Sequence, residues 1–121
     1  MKQEELLIII PKIEKYIEYI LNMLIKLPRV EKFNIGSEYK KSVYNLLKNA
    51  IYINKVGNKI EYLNTIDAEL VLERIYLRIM YSNKWIDEKK FKVSMEQISE
   101  IGKIVGGLIK YYAKNNKKWI W

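Results

Sequence analysis

The sequence predicts an all-α fold, an antiparallel four-helix bundle. Three observations carry this. Apolar residues recur at alternating steps of three and four through four long segments. The connections between those segments are short and carry Asn, Gly or Ser. No segment alternates apolar and polar residues as a half-buried strand would. Four amphipathic helices joined by short turns pack as antiparallel neighbours.

The first helix is expected over about residues 4–33. Its stripe is Ile9, Ile13, Tyr16, Ile20, Met23 and Leu27. Pro11 is compatible with a restart, because proline sits comfortably in a first turn. Pro28 should kink or loosen the last turns. Asn34-Ile35-Gly36-Ser37 reads as a turn, with Ser37 as N-cap of the second helix. That helix is expected over residues 38–55, with Tyr39, Val43, Leu46, Ala50 and Ile53 as its stripe. Val56-Gly57-Asn58 breaks it.

The third helix, residues 59–82, carries two apolar sets. Leu63, Ile66, Leu70 and Leu77 form one; Leu72, Ile75 and Ile79 form another. A helix apolar on two sides is either central in its bundle or touches another subunit. Asp87 is positioned to cap a fourth helix over residues 88–114. Residues 115–121 form a basic, aromatic tail.

The fourth helix contains the stretch around which the chain is organised, Glu100 to Lys110. Phe91, Met95, Ile98, Gly102, Val105, Ile109 and Tyr112 make a continuous stripe through it. Three glycines lie inside, each costing about 1 kcal/mol against alanine. Gly102 and Gly106 share a face, which predicts close packing of a neighbouring helix at both. The competing reading ends the helix at Gly106-Gly107, but Leu108, Ile109 and Tyr112 continue the pattern.

At 121 residues, half of them apolar, the chain is expected to form a single domain with its own core over residues 1–121. There is no cysteine and no histidine. A thiol nucleophile, a disulfide and the commonest general base and metal ligand are therefore absent. Glu14/Glu18, Glu69/Glu73 and Glu96/Glu100 are spaced i,i+4, but lysine or arginine lies near each, so a solvated face is the expectation. No nucleophile–base set, zinc spacing or phosphate loop can be assembled. The expectation is a protein that is not an enzyme and uses no metal or cofactor. No apolar run is long enough to span a membrane and no signal-peptide pattern is present, so a cytoplasmic protein is expected.

Net charge is +8, which suits polyanionic partners. Lys92, Lys103, Lys110, Lys114 and Lys117 fall within one narrow arc of the fourth helix, and no acidic residue follows Glu100. Arg74 and Arg78 stack at i,i+4 on the third helix. A guanidinium holds phosphate in a bidentate fork, so these seven cations are the candidate binding residues. Pairing of the two arginines with Glu73 and Asp67 is the alternative.

Leu27-Pro28-Arg29-Val30-Glu31-Lys32-Phe33, the run from Tyr62-Leu63 to Leu72-Glu73-Arg74-Ile75-Tyr76-Leu77-Arg78, and Ile98-Ser99-Glu100-Ile101-Gly102-Lys103-Ile104-Val105-Gly106-Gly107-Leu108-Ile109-Lys110 resemble the accessory variability determinant (Avd) family. These are accessory proteins of diversity-generating retroelements, related to four-helix bundles encoded in ribosomal RNA intervening sequences. The resemblance covers about Ile13 to Lys110. It implies a bundle assembled into a barrel-like homopentamer, a reverse transcriptase as partner, and sequence-tolerant binding of RNA or DNA. It implies no catalysis by this subunit, and it places Arg74 and Arg78 at basic positions of the family's third helix. The alternative within the resemblance is the intervening-sequence type, a structural or interaction module without a polymerase partner.

Overall fold

Spacing of three and four puts Ile9, Ile13, Tyr16, Ile20 and Met23 in one row on the first helix, and all are buried. In a computed structural model of the protein, the structure describes the backbone of residues 2–55 and 57–120 and the side chains of residues 8–55 and 57–114. Its elements are α1 (Lys2–Leu24), α2 (Arg29–Phe33), α3 (Ile35–Lys55), α4 (Lys59–Ser82) and α5 (Glu88–Ile120). The four long helices form a closed ring in which α1 touches α3 and α5, and α4 touches α3 and α5. Contacts run antiparallel along α3 and α4, from Tyr39–Tyr76 at one end to Tyr52–Tyr62 at the other.

The first helix is shorter than its apolar pattern suggests. α1 stops at Leu24, and a tight turn follows, in which Lys26 N–H reaches Met23 C=O and Leu27 N–H reaches Leu24 C=O. Pro28 is the cause: it lacks an N–H and pushes the residue before it out of helical geometry. The carbonyl of Pro28 then starts α2, accepting from Glu31 and Lys32 N–H. Pro11, by contrast, lies inside α1 and marks no restart.

α3 starts at Ile35, so Ser37 sits in its first turn and is not its N-cap. The α2–α3 corner is closed by Gly36. A Cβ there would meet the Glu31 carbonyl oxygen at 3.1 Å and Leu27 Cδ1 at 3.4 Å. This is where the fold needs a glycine. Gly102 and Gly106, expected to be close-packed, are not. A Cβ at Gly102 would meet the tip of Arg74 at 3.4 Å, ordinary contact with a flexible side chain; at Gly106 nothing lies within 4 Å.

The inner face of α5 is rotated from its expected position for a related reason. Ser94, Ile98, Ile101, Val105 and Leu108 are buried, while Phe91, Met95, Ile109 and Tyr112 flank them, partly buried. Turning Ile101 and Leu108 inward in place of Gly102 and Ile109 buries more aliphatic surface, at about 1.5–3 kcal/mol per large side chain. Gly102 has no side chain to bury.

The α4–α5 corner is held by local bonds. Trp85 N–H reaches Met80 C=O at 2.9 Å and Lys84 N–H reaches Tyr81 C=O at 3.0 Å, the paired bonds of a Schellman end. Lys84 takes the left-handed position, φ 62°, that glycine usually fills. Asp87 Oδ1 accepts from Lys90 N–H at 2.8 Å and caps α5 as its sequence position predicts. Tyr81 and Phe91 stack across the corner with ring centroids 4.5 Å apart.

The core also holds a carboxyl group. Glu73 is fully buried, contrary to the expectation of a solvated Glu69/Glu73 face. Its Oε1 lies 2.7 Å from the Tyr16 hydroxyl and its Oε2 2.5 Å from the Ser42 hydroxyl. Tyr16 and Tyr39 hydroxyls are 2.8 Å apart, and Ser42 Oγ is 2.7 Å from Glu69 Oε1. Asn45 Nδ2 donates to the other Glu69 oxygen at 2.8 Å. Buried polar atoms survive in a core only when so partnered. Glu14, Glu18, Glu96 and Glu100 are exposed, as expected of solvated faces.

Candidate nucleic-acid and partner interface

α5 places its lysines by simple helical geometry. The buried residues Ser94, Ile98, Ile101, Val105 and Leu108 define its inner side; Lys92, Lys103, Lys110 and Lys114 lie on the opposite side, and all four are exposed. Lys117 and the tail 115–121 lie outside the described side chains.

The lysines are not equivalent. Lys92 pairs with Glu88 at 3.5 Å, and Lys103 shares a shallow surface depression with Glu96 and Glu100. Lys110 and Lys114 lie beyond the last acidic residue of the chain. Within α5 itself, the lysines of the C-terminal half have no acidic residue beside them on the same helix. Exposed pairs such as Lys92–Glu88 contribute only about 0–1 kcal/mol, so they restrain the lysine little.

Arg74 is half-buried and Arg78 exposed. Glu73 turns into the core and leaves Arg74 at the edge, with its Nη2 over the space at Gly102. Among the described residues neither arginine is in an ion pair with an acidic side chain, so the expected alternative of pairing with Glu73 and Asp67 is not the arrangement found. The structure thus brings Arg74 against α5, one residue from Lys103.

An aliphatic ridge borders the arginines. Val71, Leu72, Ile75 and Ile79 are 37–49% exposed and fall on one outer face of α4. The second apolar set of this helix therefore belongs to the surface, not to a central position in the bundle. A second apolar cluster, which the periodicity did not point to, lies at the α1–α2 corner. Ile25, Val30 and Phe33 are 61%, 66% and 75% exposed, beside Lys26, Arg29 and Lys32. Only the break at Pro28 signalled it, since a helix continued through Phe33 would have placed these residues differently.

Among the described residues no group of three or more acidic, His or Cys side chains is placed to hold a metal ion, and no helix is long and apolar enough to cross a membrane.

These features define a helical bundle with a cationic edge and an uncovered aliphatic ridge on one helix. By sequence the chain matches the bAvd-like family over residues 7–112, and it belongs to that family. Its structure is similar to that of a protein of unknown function from the S23 ribosomal protein family of Bacteroides thetaiotaomicron VPI-5482. The TM-score is 0.80 at 15% identity, covering 88% of this chain and 98% of that one. Likeness at that identity speaks for the fold alone. No curated protein matches the chain.

Proposed function

We propose that this protein is a non-catalytic accessory subunit of a diversity-generating retroelement. In this reading it works in the cytoplasm as a barrel-like homopentamer, and its basic surface holds a reverse transcriptase and RNA or DNA during mutagenic retrohoming. The observation that carries the reading is the outer face of α4 in a bAvd-like chain, where Val71, Leu72, Ile75 and Ile79 stand uncovered beside Arg74 and Arg78. A ring with an odd number of subunits needs two different complementary patches on each copy. The α4 ridge and the cluster of Ile25, Val30 and Phe33 are two such patches. Assembly would repeat Arg74, Arg78, Lys110 and Lys114 around an axis and multiply a field that one chain offers weakly.

Cations without a base-reading motif bind phosphate, so recognition would be sequence-tolerant and strongly salt-dependent. Light scattering tests the assembly: a mass several times 14.6 kDa is expected, and a clean monomer at micromolar concentration overturns the pentamer. Salt titration on unrelated RNA and DNA oligonucleotides tests the cations. Arg74→Ala with Arg78→Ala should weaken all sequences equally and flatten the salt slope by about 0.7–0.9 per lost phosphate contact. If a folded double mutant binds like the wild type, the arginines have no part in binding.

A second reading is the intervening-sequence type, a bundle with no polymerase partner. A reverse transcriptase gene beside this one, with a template and variable repeat, decides for the first reading. An isolated frame inside a ribosomal RNA gene decides for the second.

A further inference from the structure

Five oxygen-bearing side chains form one continuous chain through the core. In order they are Tyr39, Tyr16, Glu73, Ser42 and Glu69, at 2.8, 2.7, 2.5 and 2.7 Å. Each short contact needs a hydrogen between its two oxygens. Tyr39, Tyr16 and Ser42 supply one hydroxyl hydrogen each. That is one fewer than the four contacts. The deficit falls at Ser42, whose single hydrogen faces carboxyl oxygens of both Glu69 and Glu73. A proton on Glu73 removes it: Tyr39 donates to Tyr16, Tyr16 to Glu73 Oε1, Glu73 Oε2–H to Ser42, and Ser42 to Glu69. Glu69 is half-exposed and also receives Asn45 Nδ2–H, so it is the member suited to carry the negative charge.

We propose that Glu73 is held as a neutral carboxylic acid at the centre of this chain, and that losing its proton opens the chain at Ser42 and loosens α3 from α4. The chain is thus a pH-sensitive latch. Ser42 lies on α3 and both carboxyl groups on α4, so the α3–α4 seam is what the latch releases, while the Tyr39–Tyr16 and Tyr16–Glu73 contacts keep their hydrogens.

The surrounding charges agree. Burial pushes the Glu73 carboxyl up from the usual 4.5 to about 8, against its hydrogen bonding with Ser42 and Tyr16, with Glu69 adding to the rise and Arg74 opposing it. Burial likewise raises the Tyr16 and Tyr39 hydroxyls well above their usual range, so both remain donors. On the α3 side, Glu38 and Lys41 lie farther out, beside Tyr76. The inward residues of α5 are Ser94, Ile98, Ile101, Val105 and Leu108, none of which titrates. Between 4.5 and about 8 the folded chain holds a proton that the unfolded chain has released. The stability from this group is fully present below that interval and is lost as pH rises through it.

The inference is independent of the accessory-subunit reading, and the full chain serves for its test. Glu73→Gln copies the protonated form: the amide oxygen accepts from Tyr16 and the amide N–H donates to Ser42. Urea unfolding of wild type and E73Q across the interval should show the wild type losing ground to E73Q by about tenfold in folding equilibrium per pH unit. Infrared spectra should show a protonated-carboxyl stretch in the wild type near neutral pH, when ordinary carboxyls are ionised, and E73Q should lack it. Hydrogen exchange, corrected for intrinsic rates, should rise along the α3–α4 seam around Ser42 above about pH 8 before it rises in α1. If E73Q does not fold, the wild-type infrared titration decides alone. A band lost near 8 upholds the latch. No such band at neutral pH, or a stability difference that is flat or favours the wild type as pH rises, overturns it.

Discussion

The two faces of α4 invert the usual rule. Inward, it buries a carboxyl group, Glu73; outward, it exposes four aliphatic side chains, Val71, Leu72, Ile75 and Ile79. The inner exception is closed within the protomer, because both carboxyl oxygens of Glu73 find a partner on α1 or α3. The outer exception has no such closure in one chain, and a contiguous exposed apolar ridge marks an interaction site. The same helix therefore teaches two lessons. A polar group inside is tolerated when its hydrogen bonds are complete, and an apolar group outside signals something that covers it.

The contrast can be broken from the inside first. Glu73→Ala removes the centre of the hydrogen-bonded chain, deprives Tyr16 and Ser42 of one partner each and leaves a cavity. A loss of about 3 kcal/mol is expected by urea unfolding at neutral pH. A loss under about 1 kcal/mol would mean that the chain contributes little to the fold.

At the corner beside the exposed cluster, Gly36→Ala should cost about 1–3 kcal/mol, because its methyl would press on the Glu31 carbonyl. An unchanged melting temperature would show that the α2–α3 corner shifts freely.

Gly102→Ala and Gly106→Ala should do the opposite. Each should raise protomer stability by about 1 kcal/mol through helix propensity, since no backbone stands in the way. Destabilisation of Gly106→Ala in the assembled protein but not in dilute monomer would place Gly106 at a subunit contact. That result would sharpen the outer half of the comparison.

The smallest effect on the protomer is expected from Ile75→Glu with Ile79→Glu. Both sites are exposed, so stability of the isolated chain should stay within about 0.5 kcal/mol per substitution. The assembled mass should nevertheless fall to that of the monomer in light scattering. Retention of a large assembly would move the interface off the α4 ridge.

Much of this was legible in the chain because helix formation and capping follow near-neighbour rules. The row Tyr39, Val43, Leu46, Ala50 and Ile53 is buried on α3 as its spacing states, and Asp87 caps α5 from its place in the sequence. The outward lysines followed from periodicity too, because an arc of charge falls opposite an arc of aliphatics on any amphipathic helix. Arg74 and Arg78 were legible as a stacked pair, but not their surroundings. Whether Glu73 paired with Arg74 or turned away depended on Tyr16 and Ser42, 57 and 31 residues distant.

By itself, then, the sequence determined four long amphipathic helices, their antiparallel order, the basic arc of α5 and the two apolar sides of α4. Tertiary structure alone decided which side of each helix faces inward where two sides compete. On α5 it chose Ile101 and Leu108 over Gly102 and Ile109, because packing favours the face with more aliphatic area to bury. On α4 it turned Glu73 inward, because hydroxyls from two other helices meet there and supply the hydrogen bonds that make a buried carboxyl tolerable. It moved the required glycine to Gly36, where a backbone oxygen of another helix comes close. Periodicity specifies a face up to a rotation of about one residue; area, hydrogen bonds and backbone approach from distant parts of the chain fix that rotation.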